Sequence, residues 1–199
     1  MPSDLLTADL SLLPARAFPE PLPRIIRTDD LEPLARLYLI SYPPGIGAGS
    51  HAEAISEIAA TFEGDYGVLR PGASLVAEAG GRPAGAVLTV ERSIWDEGLE
   101  GPFIIDLFVD PQLRGRGIGR ALMTGAMLAC RNAGDAQLSL RVGKGPRMRP
   151  TFSMSRWDSG GPVPRRHGSG PDAGSRSPGG VACFLCGDGV VAEGAPGSH

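Results

Sequence analysis

The sequence predicts an α/β domain, with helices and strands interleaved along most of the chain. Three observations carry that prediction. Apolar residues recur at helical spacing over 31–42, 55–62 and 118–133. Short apolar runs bounded by turn residues lie at 24–28, 74–78, 84–91, 103–109 and 137–142. Between the fourth run and the third helical stretch stands Arg114-Gly115-Arg116-Gly117-Ile118-Gly119, denser in glycine and arginine than a strand-to-helix turn requires.

Composition narrows the class. A chain of 199 residues with 42% hydrophobic content can bury one ordinary core. No apolar run approaches the roughly 20 residues that cross a bilayer, and the start lacks the pattern of a signal peptide. The expected compartment is the cytoplasm. A net charge of -3 and the lack of a basic stripe with aromatics argue against nucleic acid as a partner. Three cysteines do not suggest a disulfide framework. Cys130 falls in the third helix as a packing residue. Cys183-Phe184-Leu185-Cys186 lacks the further ligands of a zinc site, so no metal is expected.

In chain order, 1–22 is proline-rich and without clear period, and reads as a mobile leader. Residues 24–28 form a first strand. Asp29-Asp30 caps a helix that admits Pro33 in its first turn, with Leu31, Leu34, Ala35, Tyr38 and Tyr42 as its apolar stripe. Ser50 and Glu53 have the form of a capping box for a second helix, which buries Ile55, Ile58, Ala59 and Phe62 and leaves through Gly64 and Gly67. Residues 74–78 and 84–91 flank Gly80-Gly81 as a hairpin. The strand at 103–109 follows, then the glycine turn, its helix, and a last strand at 137–142 that alternates polar and apolar.

The turn predicts an anion site. Glycines let the backbone approach a ligand, the first amides of the helix have no intrahelical partner, and the helix dipole favours negative charge there. Arg114, Arg116 and Arg120 add positive charge. A dinucleotide fingerprint fails, because its last glycine slot falls on Arg120. A triphosphate loop fails for want of Gly-Lys-Ser/Thr.

The stretch resembles the GCN5-related N-acetyltransferases, which use acetyl-coenzyme A. Their motif of Gln or Arg, two variable residues, Gly, one variable residue and Gly or Ala is met in full by Arg114, Gly117 and Gly119. Asp106-Leu107-Phe108-Val109-Asp110-Pro111 resembles the strand that leads into it. The resemblance implies a mixed, mostly antiparallel sheet flanked by helices over 23–145. It implies transfer of an acetyl group to a primary amine of a small molecule or peptide.

It also implies roles. Amides from Arg114 through Gly115, Arg116, Gly117, Ile118 and Gly119 to Arg120 hold the pyrophosphate. Leu107, Phe108 and Val109 line the pantetheine arm, with backbone groups of Leu107 and Val109 pairing to it beside a strand bulge. An amide near Val109 polarises the thioester carbonyl, and a carboxylate or water chain serves as general base. Asp106 and Glu91 are the candidate bases. For both a merely structural place carries more weight, for Asp106 a strand position on the solvated face. His51 and Tyr42 fall in the substrate loop, and read as a helix-capping neighbour and a core aromatic.

Beyond Gly145 the resemblance ends. The family's later helix, its thiolate-protonating Tyr and its closing strands have no counterpart. Residues 146–199 hold 11 Gly, 7 Pro and 7 Ser, and only one Leu, a composition that predicts disorder. Codons for Met154 through Ser159, read one base earlier, can encode Tyr-Val-Ser-Leu-Gly-Phe, as the family would have there, which suggests an out-of-frame tail. A nucleotide sequence that does not permit Leu-Gly-Phe in that frame ends the idea. With the closing strands gone, residues 137–142 are expected to be an open sheet edge prone to self-association. The donor slot is expected to be half built and activity impaired. The alternatives are a non-catalytic coenzyme A-binding remnant and an interaction protein.

Overall fold

A computed structural model describes residues 3–13, 22–43, 45–143 and 165–166. The strands are β1 (Ser3–Asp9), β2 (Arg24–Ile25), β3 (Leu75–Ala79), β4 (Arg82–Val90), β5 (Phe103–Val109), β6 (Gln137–Gly143) and β7 (Arg165–Arg166). The helices are α1 (Leu31–Ser41), α2 (His51–Glu63) and α3 (Ile118–Asn132). The strands form one mixed sheet in the order β2-β3-β4-β5-β6-β1-β7. Among the described residues only β5 and β6 pair in parallel, in keeping with the expected mostly antiparallel sheet. Among the described residues no helix is long and apolar enough to cross a membrane.

The sheet separates two cores. On one face α3 sets Ile118, Leu122, Ala126 and Cys130 against Leu75, Val87, Leu107 and Leu140. On the other, α1 and α2 set Leu34, Leu37, Tyr42 and Ile58 against Val76, Leu88, Ile105 and Phe108. The β3–β4 hairpin turns through Gly80 and Gly81, both at positive φ, as the sequence suggests. Helix α2 starts with the Ser50 hydroxyl accepting from the Glu53 amide at 3.2 Å. The Glu53 carboxylate accepts from the Gly49 amide, 2.8 Å away, so the box closes one residue early.

Four expectations need correction. Residues 3–13 are no mobile leader. β1 pairs with β6 along its whole length, from Ser3 opposite Gly143 to Asp9 opposite Gln137, and Leu10 is fully buried beyond it. The β6 edge is therefore covered, and the open edge expected there does not exist. The physical reason is an alternation in which Leu6, Ala8 and Leu10 join the α3-side core while the Thr7 hydroxyl meets that of Ser139 at 2.9 Å on the other face. Third, the strand expected at 24–28 is only the two residues of β2. Fourth, Asp30 does not cap α1 with its side chain. It is buried and takes the Arg24 guanidinium in two hydrogen bonds of 2.7 Å, which hold its carboxyl below the usual range against the opposing effect of burial. The expected disorder of 146–199, the frame of that tail and the Cys183–Cys186 pair lie outside the described residues, apart from the two residues of β7.

Helix α3 sits close to the sheet because Gly85 lets it. A Cβ on Gly85 would stand 2.9 Å from Ile118 Cγ2, 3.0 Å from Leu122 Cδ1 and 3.1 Å from the Phe108 carbonyl. Gly85→Ala is expected to cost about 1–3 kcal/mol, read as a lower urea midpoint with unchanged slope. A midpoint equal to wild type would show that the helix has room to yield.

Candidate donor site and buried acid

The site begins where β5 leaves β6. The two strands pair only at Phe103 opposite Ser139 and Ile104 opposite Leu140. Beyond that point β5 keeps β4 as its partner, with Leu88 opposite Asp106 and Thr89 opposite Ile104, so that Ile105 is an extra residue. This is a bulge, which bends the strand and turns it from its neighbour. Ile105 and Asp106 consequently both face the α1–α2 layer. The Asp110 amide donates to the Ala84 carbonyl at 2.9 Å. The antiparallel alternation then directs the backbone groups of Leu107 and Val109 away from β4, toward the edge where the pairing with β6 has ended.

At the open end of β5 lies the glycine turn. Asp110 accepts from the Gln112 amide at 2.8 Å and starts the short helical turn Pro111–Leu113. Gly117 is the N-cap of α3 with φ 81°, a left-handed conformation that side chains resist, and the space beside it is open. Gly119 differs. A Cβ there would rest 3.7 Å from Val109 Cγ2, an ordinary contact, which explains physically why the motif admits Gly or Ala at this slot and only Gly at the earlier one. Ile118 is buried and anchors the helix. Arg116 and Arg120 are exposed.

Arg114 has another task. Its Nη2 donates to the Ser41 carbonyl at 2.6 Å and its Nε to the Val109 carbonyl at 3.3 Å. The guanidinium thus joins the end of α1 to the turn.

Asp106 is not on a solvated face. It is 4% exposed and accepts a short hydrogen bond from the Tyr42 hydroxyl. Burial pushes its carboxyl up to about 7, against the pull of the Tyr42 hydroxyl and the Leu107 amide and with the Glu57 charge raising it further. Glu91 is exposed beyond the end of β4, where β5 is still paired, and the structure does not bring it together with Asp106.

Around Asp106 the α1–α2 layer gathers aromatics. The Tyr38 ring lies 4.9 Å from that of Tyr42 and 5.5 Å from Phe108. The Tyr66 hydroxyl donates to Glu57 Oε2 at 2.7 Å, and Trp95, 43% exposed, stands 6.1 Å from the Tyr66 ring. His51 opens α2 behind its Ser50 cap and bonds Glu32 at 3.0 Å, the place expected for it. Tyr42 is the residue that the sequence undervalued. Its position on an apolar helix stripe gives a core aromatic, and no local signal announces a partner 64 residues away.

The sequence pattern of the acetyltransferase (GNAT) family matches residues 32–147, more than half of the chain. The chain belongs to the GNAT acetyltransferase family. Solved structures agree on the fold. A GCN5-related N-acetyltransferase from Sphaerobacter thermophilus aligns with a TM-score of 0.57 and 19% identity, over 82% of this chain and 48% of that one. An aminoglycoside 6'-N-acetyltransferase from Acinetobacter haemolyticus aligns at 0.50 and 14%, over 78% and 97%. The aminoglycoside N-acetyltransferase solved with a coenzyme A bisubstrate analogue aligns at 0.51 and 18%, over 78% and 97%. This chain thus spans about half the length of the first of these. No curated protein matches it.

The family is one of acetyltransferases, and the donor that the sequence suggests for this chain is acetyl-coenzyme A. The residues present fit that donor. A stretch of β5 whose β6-facing edge has no ladder partner beyond Ile104 among the described strands suits an extended, amide-bearing arm, and a glycine-opened helix N-terminus flanked by Arg116 and Arg120 suits a pyrophosphate.

Proposed function

We propose that this chain transfers the acetyl group of acetyl-coenzyme A to a primary amine of a small molecule or peptide, in the gap where β5 leaves β6. The observation that carries the reading is the pairing of β5 with β6 over only two residues, next to a helix that starts at a left-handed glycine. In this reading the amides from Arg114 to Arg120 hold the pyrophosphate, and Arg116 and Arg120 add long-range attraction. The Leu107 carbonyl and the Val109 amide lie on the edge offered to the donor, the Val109 carbonyl being taken by Arg114, and Phe108 packs beneath the pantetheine arm. The Val109 amide stabilises the negative charge that develops on the thioester oxygen. Asp106 takes the proton of the acceptor ammonium through a bridging water. Glu57 and the aromatic rings around it favour a cationic acceptor with an apolar body.

Acetyl-coenzyme A binding is measured by calorimetry, and turnover as free thiol released with kanamycin, spermidine and a lysine peptide. Binding together with release in the presence of one of these amines is the expected result. Binding without release from any amine would favour the non-catalytic remnant, and no binding would sink the reading. Reversing both Arg116 and Arg120 to Glu is expected to weaken binding about tenfold or more, with the difference shrinking in 1 M salt. An unchanged affinity would remove the two arginines from the phosphate site.

A further inference from the structure

We infer that Tyr42 is a positioning residue for the reaction, holding the carboxyl of Asp106 in place from the end of α1. The inference rests on the proposed role of Asp106 as general base.

Tyr42 is fixed from several directions. Its backbone is the extended C-cap of α1, directly after Ser41, whose carbonyl is tied to the glycine turn by Arg114 at 2.6 Å. The ring packs against Tyr38 and Phe108, with centroids at 4.9 and 6.5 Å. From above, the loop between α1 and α2 presses Gly47 onto it. A Cβ on Gly47 would stand 2.7 Å from Tyr42 Cβ and 3.0 Å from Cγ. The residue is 8% exposed. A side chain held this firmly has its hydroxyl fixed in place, and from there it donates to Asp106 Oδ1.

Among the described residues, the charged and titratable groups that act on Asp106 come from three elements. Helix α1 brings Tyr42 and Tyr38, α2 brings Glu57, and Tyr66 reaches Glu57 from the loop after α2. On β4 the opposing residue is Leu88, which is apolar. Glu57 disfavours the carboxylate by like charge, whereas Tyr42 donates to it. Without that hydroxyl, Asp106 keeps its proton to higher pH. The position of Tyr42 therefore sets where the base becomes available as well as where it points.

The test uses the full chain with acetyl-coenzyme A and the best amine of the kanamycin, spermidine and lysine-peptide panel. The Asp106 carboxyl is titrated by carbon NMR, assigned by its loss in Asp106→Asn, and the pH profile of kcat/KM is recorded alongside. In Tyr42→Phe the Asp106 midpoint and the acid limb of the profile are both expected to rise by about one to two pH units, with the KM for acetyl-coenzyme A unchanged. Gly47→Ala keeps the hydroxyl but displaces the ring, and is expected to move both in the same direction. A midpoint that stays put in both variants overturns the inference, whatever happens to turnover. A midpoint that moves under an unmoved acid limb overturns the assignment of Asp106 as base, and the role of Tyr42 with it. Binding of acetyl-coenzyme A, measured separately, reports on the donor site and is independent of either result.

Discussion

Asp106→Asn is expected to lower kcat by about 10²–10⁴-fold and at the same time to stabilise the fold at pH 8. The two effects share a cause. The carboxyl sits at 4% exposure on the inner side of a strand, and burial raises it to about 7, above its value in the unfolded chain. For an acid with a raised native value, the native state holds the proton more tightly over that interval. Its stabilising contribution is present below the unfolded value, near pH 4, and is lost as pH rises through about 7. At pH 8 the wild type therefore carries an ionised group in a place that disfavours charge, while Asn carries none and its carbonyl can still accept from Tyr42. The melting temperature of the variant should exceed that of wild type at pH 8 by a few degrees and the gap should narrow steadily as pH falls through 7 toward 4. Equal curves at both values would show that Asp106 is not held against its ionisation. A full kcat in the variant would show that it is not the base.

Removing residues 1–13 is expected to abolish cooperative unfolding, and Leu10→Ala alone to cost about 2–5 kcal/mol. β1 supplies the second partner of β6 over seven paired positions, and without it the backbone groups along that side of β6 lose their hydrogen bonds. Leu10 is fully buried in the α3-side core, and its amide donates to the Ala136 carbonyl at 2.9 Å. The Leu13 carbonyl accepts from Arg131 on α3 at 3.1 Å, which fastens the far end. Chemical denaturation followed by circular dichroism reads both variants. A truncated chain with a wild-type midpoint would show β1 to be dispensable.

How far the fold was legible depended on whether its causes were local. The run at 103–109, the 118–133 stripe and the hairpin around Gly80-Gly81 were read almost to the residue, because period and turn chemistry act over a few positions. The order of these elements and the glycine turn together led to the right family. β1 was missed although Leu6, Ala8 and Leu10 alternate. Prolines dominate the segment that follows, and a lone strand shows no partner in its own sequence. The expectation of a bare β6 edge inherited that miss. In the site, the backbone of the turn was anticipated, since glycine spacing encodes it. Side-chain destinations were not. Arg114 was expected to serve an anion and instead reaches the Ser41 carbonyl, and Asp106 was expected to face solvent. The bulge at Ile105 sets the facing of Asp106, and one extra residue in a strand inverts every alternation counted through it.

The pairing of Ser3 with Gly143 bears on the order in which the chain assembles. β1 precedes every other described strand, yet its partner β6 is the last described strand before residue 144. Until residue 143 has emerged, β1 has no ladder to join, while β3, β4 and β5 can already pair as consecutive neighbours. Closing a loop of that length costs entropy that grows slowly with length, and contacts so far apart in sequence slow folding. β1 is thus a late closure of the fold, and a nascent chain carries Leu6, Ala8 and Leu10 without their β6 partner until residue 143 has emerged.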